Sequence, residues 1–237
     1  MSRILFACAV ALSLIFLGSY ASASPPAPSL WTGWYFGGNV GYGNGADKGC
    51  GAWNSGTTYL PVNSATDCNT NPSDPNNHNY SNNGPFSGVV GGVQVGRNVQ
   101  LGSFVFGGEL GASLFPLQHH SPTADISEQT GPVLSATVHG GYAAGPLYLY
   151  GLIGYANADQ SHDDNVSNCH WNVNLSGLVY GAGVQSKVSP KLSVFGEWNH
   201  LDFGVDRATC INSLNNTNNL DKTEGDLFKV GFNYQFN

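Results

Sequence analysis

Phe228-Lys229-Val230-Gly231-Phe232-Asn233-Tyr234-Gln235-Phe236-Asn237 closes the sequence, and its reading decides the fold. Every second residue, Phe228, Val230, Phe232, Tyr234 and Phe236, is apolar or aromatic. Lys229, Gly231, Asn233 and Gln235 between them are polar or small. Successive side chains of a strand point to opposite faces, so this is one strand with an oily face and a wet one. A half-buried strand of a soluble protein alternates in the same way. Recurrence of the pattern behind an export signal changes its meaning. The oily faces then turn to lipid and the wet faces turn into a barrel.

The export signal is at the other end. Met1-Ser2-Arg3 is a short positive region, Ile4 to Leu17 is apolar, and Ala21-Ser22-Ala23 is a small-residue cleavage site. An uncleaved helical anchor would need ~18–20 apolar residues, longer than this run. Residues 1–23 are therefore predicted to be a signal peptide and 24–30 a short linker. Residues 31–237 are left as one β domain. Only 10% of residues are charged and 32 are glycine, where a soluble domain typically carries ~25% charge. Without Arg3 the balance is 7 basic to 15 acidic residues. No basic patch exists, so no nucleic-acid partner is expected.

The alternation recurs in eight segments. In Trp34–Gly43, Phe36, Gly38, Val40 and Tyr42 oppose Tyr35, Gly37, Asn39 and Gly41. In Phe86–Arg97, Val89, Val93 and Val95 oppose Val90, Gly92, Gln94 and Gly96. In Phe104–Leu114, Phe104, Phe106, Leu110, Ala112 and Leu114 oppose Val105, Gly107, Glu109, Gly111 and Ser113. In Val133–Tyr142, Leu134, Ala136, Val138 and Tyr142 oppose Ser135, Thr137, His139 and Gly141. Leu147–Ala156 is apolar on both faces, which leaves its sides unassigned. Val173–Lys187, Leu192–Phe203 and the closing strand complete the set. In Leu192–Phe203, Val194, Gly196 and Trp198 oppose Ser193, Phe195, Glu197 and Asn199.

The connections alternate in length. Long polar stretches, 44–84, 115–131, 157–172 and 204–224, follow the odd strands, and tight turns around Gly102, Gly145-Pro146 and Ser189-Pro190 follow the even ones. Outer-membrane barrels sort their connections this way, with short periplasmic turns and long external loops. The fold class read from the sequence is all-β: an eight-stranded antiparallel up-and-down transmembrane β-barrel with four long external loops. A soluble lipocalin-like barrel would place the apolar faces inward instead.

These residues resemble a known family. Trp31-Thr32-Gly33-Trp34-Tyr35-Phe36-Gly37-Gly38-Asn39-Val40-Gly41-Tyr42-Gly43 is similar to the opening strand of the outer-membrane immunogenic protein family, the opacity-type small porin-family barrels. Gly91–Asn98 and Phe104–Glu109 resemble its second and third strands. The best match is Gly181–Val184, Ser189-Pro190 and Ser193–Gly204, and Lys229–Phe236 completes it. The resemblance implies an abundant structural envelope protein with an antigenic surface, partnered by outer-membrane lipid. It also implies that the assembly machinery reads the C-terminal strand. Some members of that family bind haem or host surfaces. Three features depart from the family: Thr137 and His139 stand where it carries arginines, Asn237 follows the terminal aromatic, and the first loop is long and Asn-rich.

Eight strands enclose a space just wide enough for side chains to fill. The inward set includes Asn39, Gln94, Glu109, Thr137, His139, Glu197, Asn199, Lys229, Asn233 and Gln235. A lumen charge network of Glu109, His139, Glu197 and Lys229 is expected. Strands seven and eight are neighbours, so Glu197 can meet Lys229, and His139 is the candidate partner for Glu109. A plugged, at most weakly conducting lumen follows, with function moved to the loops and the lipid contact. The alternative function is a receptor or adhesin that takes haem, a small molecule or a host ligand at the loops.

No catalytic residue, metal or cofactor is assigned. His119-His120, His162-Asp163-Asp164 and Cys169-His170 have no specified ligand spacing and read as solvated loop residues. His120-Ser121, and His200 with Asp202, supply the groups of a hydrolase, but a triad is recognised by geometry. Asn165-Val166-Ser167 and Asn215-Asn216-Thr217 match the glycosylation pattern by chance in Asn-rich loops.

Of five cysteines, Cys8 lies in the signal peptide, leaving Cys50, Cys68, Cys169 and Cys210. An even number in an exported chain points to two disulfides. Cys50 and Cys68 share loop one, where a bridge closes 19 residues and contributes ~3 kcal/mol in the chain-entropy view. Cys169 and Cys210 lie on loops three and four at the same membrane face. Peptide mass mapping of unreduced protein is expected to return Cys50–Cys68 and Cys169–Cys210. A Cys50–Cys169 or Cys50–Cys210 peptide would overturn this pairing.

Overall fold

Hydrogen-bonded pairing runs around a closed ring. The computed structural model describes residues 30–54, 78–114, 118–121, 126–164, 169–211 and 216–236. The predicted signal peptide, residues 1–23, lies outside them. Ten strands follow in chain order: β1 (Gly33–Asn54), β2 (His78–Leu101), β3 (Phe104–Leu114), β4 (Gln118–Ser121), β5 (Ile126–Thr130), β6 (Val133–Ala144), β7 (Leu147–Asp164), β8 (Cys169–Lys187), β9 (Leu192–Ile211) and β10 (Asn216–Phe236). Eight form the ring, in the order β1–β2–β3–β6–β7–β8–β9–β10. β10 pairs back onto β1, and β7–β8 pairing completes the circuit. Every pairing is antiparallel. Closure leaves no open edge in the wall, the condition for a sheet to sit in hydrocarbon.

The tight turns fall where the sequence puts them. Gly102 and Gly145 adopt φ of 64° and 59°, values that a residue with a Cβ rarely tolerates. At the β8–β9 turn, Leu192 N–H donates to Ser189 Oγ at 3.1 Å.

Sidedness follows the alternation. Val40 and Val230 are each 60% exposed, while Asn233 is 6% exposed. The ambiguous fifth segment resolves as β7. Leu149, Ile153 and Tyr155 face out, while Tyr148, Tyr150 and Leu152 are buried inside. Both faces are apolar because this wall of the lumen is itself packed. The outer surface is therefore an unbroken apolar belt. Aromatics mark its periplasmic end, where Phe36 packs on Tyr234 and Phe236 at 5.6 and 5.9 Å. Tyr42, Trp198 and Phe228 mark the other end.

Two features differ from the sequence reading. Where they are described, the four polar stretches continue largely as paired strand. β1 runs 22 residues and β2 runs 24, about twice the ~9–11 a membrane crossing needs. Backbone pairing needs no apolar face once the chain has left lipid, so hydropathy alternation stops before the strand does. A short hairpin, β4–β5, also lies in the 115–131 stretch, with β5 paired to β7. A bulge interrupts β9–β10 between Lys222 and Glu224. Gly204 takes up the kink with a φ of 74°.

This geometry sets a test of facing. Val230→Arg, in the apolar belt, is expected to cost ~2–4 kcal/mol in a urea refolding titration in lipid vesicles. Asn233→Ala, which removes one lumen hydrogen bond, should cost ~1 kcal/mol. Equal costs would mean the assigned facing is wrong.

Candidate functional site

The lumen is layered from polar to apolar. At mid-height, register alone sets Glu197 on β9 opposite Lys229 on β10. Lys229 Nζ lies 2.6 Å from Glu197 Oε1, and both side chains are largely shielded from solvent. Tyr150 from β7 donates its hydroxyl to Glu197 Oε2 at 2.7 Å. Asn199 Nδ2 donates to Oε1 at 2.9 Å. The carboxylate thus has donors on both oxygens, the arrangement that makes a buried ion pair tolerable.

Glu109 and His139 take separate partners. Tyr35 donates its hydroxyl to Glu109 Oε2 at 2.8 Å. His139 Nε2 lies 2.7 Å from Asn98 Oδ1. With the amide oxygen as acceptor, Nε2 carries the proton. Register explains the separation: Glu109 is opposite Thr137, while His139 is opposite Gly107. The His139 ring instead leans on Tyr150 at 5.8 Å. A second chain of amides crosses the floor of this layer. Asn39 Nδ2 donates to Gln94 Oε1 at 2.7 Å, and Gln94 Nε2 donates to Asn233 Oδ1 at 2.8 Å. Tyr35, Glu109, His139, Tyr150 and Glu197 border a cavity of about 10 Å³, room for about one water.

On either side of this layer the lumen is apolar. Toward the outer end Val90, Leu152, Val179, Leu201 and Leu227 pack together. Toward the periplasmic end sits Trp31, 1% exposed. Its indole N–H donates to Gly145 O at 3.2 Å, and its backbone N–H donates to Gln100 Oε1 at 3.1 Å. Its ring packs on Tyr148 at 5.4 Å, and Lys187 Nζ sits 5.1 Å from its ring centre. Lys187 also donates to Gln235 Oε1.

Sequence reasoning missed the apolar layers and the roles of Trp31, Tyr35, Asn98, Tyr148 and Tyr150. A signal existed in cross-strand pairing. Tyr35 lies opposite Gly96, and Tyr150 opposite Gly183. A Cβ at either glycine would overlap the tyrosine ring. Likewise, a Cβ at Gly107 would meet Asn98 and His139. Bulky lumen residues are thus housed by glycines on the adjoining strand.

The remaining candidate residues are placed as follows. His200 Nδ1 is 3.0 Å from Asp226 Oδ1, not from Asp202. Asp202 accepts the Gly204 N–H at 3.0 Å and lies 3.8 Å from Lys222. Strand register sets His119 opposite Glu128 and Glu128 opposite His162. Those side chains, and those of His120, Asp163, Asp164, Cys169 and His170, lie outside the described residues. So do Cys68, Asn165, Asn215 and Asn237, and the side chains of Cys50 and Cys210, whose backbone lies in β1 and β9. The two disulfide assignments therefore fall outside the described residues.

The sequence matches the family described as "Outer membrane protein beta-barrel domain" over residues 9–236. The chain belongs to this family. No curated protein matches the sequence. Among solved structures, it is similar to the outer membrane protein OprG from Pseudomonas aeruginosa. That match has 14% identity and a TM-score of 0.53, and covers 87% of this chain and 97% of that one. Neisserial surface protein A is also similar, with 12% identity and a TM-score of 0.49, over 86% of this chain and 98% of that one. The likeness to OprG shows a shared fold. The chain is a barrel of the cell outer membrane, its apolar belt set in lipid and its long strand extensions at the surface.

The lumen pair sets a double-mutant cycle. Lys229→Met strands the Glu197 carboxylate and is expected to cost ~3–5 kcal/mol. Adding Glu197→Gln should recover a large part of that loss. A coupling energy near zero would mean that the two groups are independently solvated.

Proposed function

We propose that this protein is a structural, non-enzymatic, surface-exposed component of a Gram-negative outer membrane, with a plugged and at most weakly conducting lumen. The observation that carries this reading is the stack of side chains along the barrel axis. Trp31 sits at the periplasmic mouth, the Glu197–Lys229 layer at mid-height and the apolar cluster beyond it. An ion passing through would have to break a buried ion pair and part a close-packed core, both costly. The His200–Asp226 pair lies on the outer wall, where Asp226 also accepts the Trp198 indole N–H, and this bracing suits a structural role. Assembly through the C-terminal strand fits the position of β10, which pairs with β1 along the whole described length of β1 beyond Gly33.

The second reading is a receptor or adhesin that takes haem or a host ligand at its surface. The extension of β1, β2 and β7–β10 beyond the lipid belt favours it, because such extensions display a large surface. Haem titration of refolded protein, followed by absorbance, separates the two readings.

Planar-bilayer recording of refolded protein tests the plugged lumen. The wild type is expected to show no long-lived open state. Trp31→Ala combined with Lys229→Met should raise the frequency of conducting events. A stable open channel in the wild type would overturn the structural reading.

A further inference from the structure

We propose that an outward row at the outer edge of the lipid belt is a docking strip for the sugar headgroup of an outer-leaflet glycolipid. Cross-strand register aligns Tyr180 with His200, His200 with Asp226, Asp226 with Asn44, and Asn44 with Ser87. The row crosses β8, β9, β10, β1 and β2. Four strand spacings make it about 19 Å long, enough for a short oligosaccharide. Each residue has the parity of the lipid-facing set, and Tyr180, Asn44 and Ser87 are exposed.

Its height on the wall is decisive. On β9, β10, β1 and β2 the next row toward the membrane is Trp198, Phe228, Tyr42 and Val89, the last row of large apolar residues on those four strands, while on β8 the outward Leu178 lies one step beyond Tyr180. On those four strands the strip is therefore the first polar row beyond the belt, where headgroups lie, and on β8 Tyr180 continues it within the belt's aromatic edge. It is also held in place before any ligand arrives. Asp226 Oδ1 accepts the Trp198 indole N–H at 3.1 Å and lies 3.0 Å from His200 Nδ1. The Tyr180 ring packs on the imidazole at 5.0 Å. Among the described residues nothing bonds Asp226 Oδ2, so that oxygen remains for a ligand donor.

The chemistry selects sugar over phosphate. A phenol, an imidazole, a carboxylate, an amide and a hydroxyl match the mixed donors and acceptors of ring hydroxyls. The strip carries neither lysine nor arginine, and Asp226 repels an anion. Lys222, beyond the strip, is engaged by Glu224 at 3.0 Å and Asp202 at 3.8 Å. The proposal does not depend on whether the lumen conducts.

The test is a binding titration on refolded full-length protein in detergent, with folding verified by heat-modifiable migration. The probes are lipopolysaccharide, the same glycolipid stripped of phosphate, and its delipidated oligosaccharide. Both glycolipids should bind saturably and the free oligosaccharide far more weakly. Asp226→Leu should weaken glycolipid binding about tenfold. Ser87→Val, at the far end of the strip and clear of the Trp198–His200–Asp226 contacts, should weaken it less and covers the case in which Asp226→Leu does not fold. Arg97→Gln, at the periplasmic end, should leave binding unchanged. Wild-type affinity in both strip variants, loss of binding on phosphate removal, or equal affinity for the free oligosaccharide would each overturn the proposal.

Discussion

The circumference of eight strands governs this molecule. A ring that small leaves an interior that must be filled by side chains, yet is too tight for every position to carry one. The chain meets both demands by setting glycine beside bulk. Tyr35 lies against Gly96 and Tyr150 against Gly183, while a Cβ on Gly231 would collide with the Phe195 ring. The hydroxyls delivered by this packing are the donors that satisfy Glu109 and Glu197. The polar layer therefore depends on the steric one. An alanine at Gly183 would act on the Glu197–Lys229 pair by displacing Tyr150, without touching either charge.

The alternation that turns Val230 and Phe232 outward was legible because lipid demands it at every crossing. One polar side chain on that face costs kilocalories, so the pattern is strict. The lumen imposes no such uniformity. It accepts Leu227 and Lys229 on the same face two residues apart, because each needs only a neighbour that matches it. Polarity along a strand therefore reveals which face is inside, but not what fills it. The Glu197 to Lys229 approach was readable from strand adjacency. The Tyr35–Glu109 bond was not, since it joins β1 to β3 across β2. Register and barrel curvature decide such contacts, and neither is written in one strand.

Strand length was hidden for a related reason. Lipid selects alternation, but backbone pairing asks only that the bonded N–H groups be present, and even Pro85 is accommodated in β2 opposite Ala46, where β2 pairs with β1 and not with β3. In β1, Asp47-Lys48-Gly49-Cys50-Gly51 has no apolar face, yet it pairs on both sides with β2 and β10. Paired strands satisfy their own backbone groups in water as they do in lipid. The extensions then stiffen the surface that the barrel displays.

The scarcity of charge ties these levels together. With 10% charged residues, each ionised group in the wall has an assigned place. Lys229 neutralises Glu197 inside, and Arg97 lies over Trp34 at 5.7 Å at the periplasmic rim. Lys187 braces Trp31 at the periplasmic mouth. At the outer rim the described charges are mainly acidic: Asp202, Glu224 and Asp226, against Lys222. That asymmetry has a physical consequence. Among the described residues, charges of this sign do not clamp lipid phosphate, so the attractive contacts of these groups with the outer leaflet run through hydrogen bonds to neutral groups. Binding built on hydrogen bonds is short-ranged and only weakly screened by salt, whereas a phosphate clamp fades as ionic strength rises. The outer edge of the barrel should therefore hold its lipid with little dependence on salt.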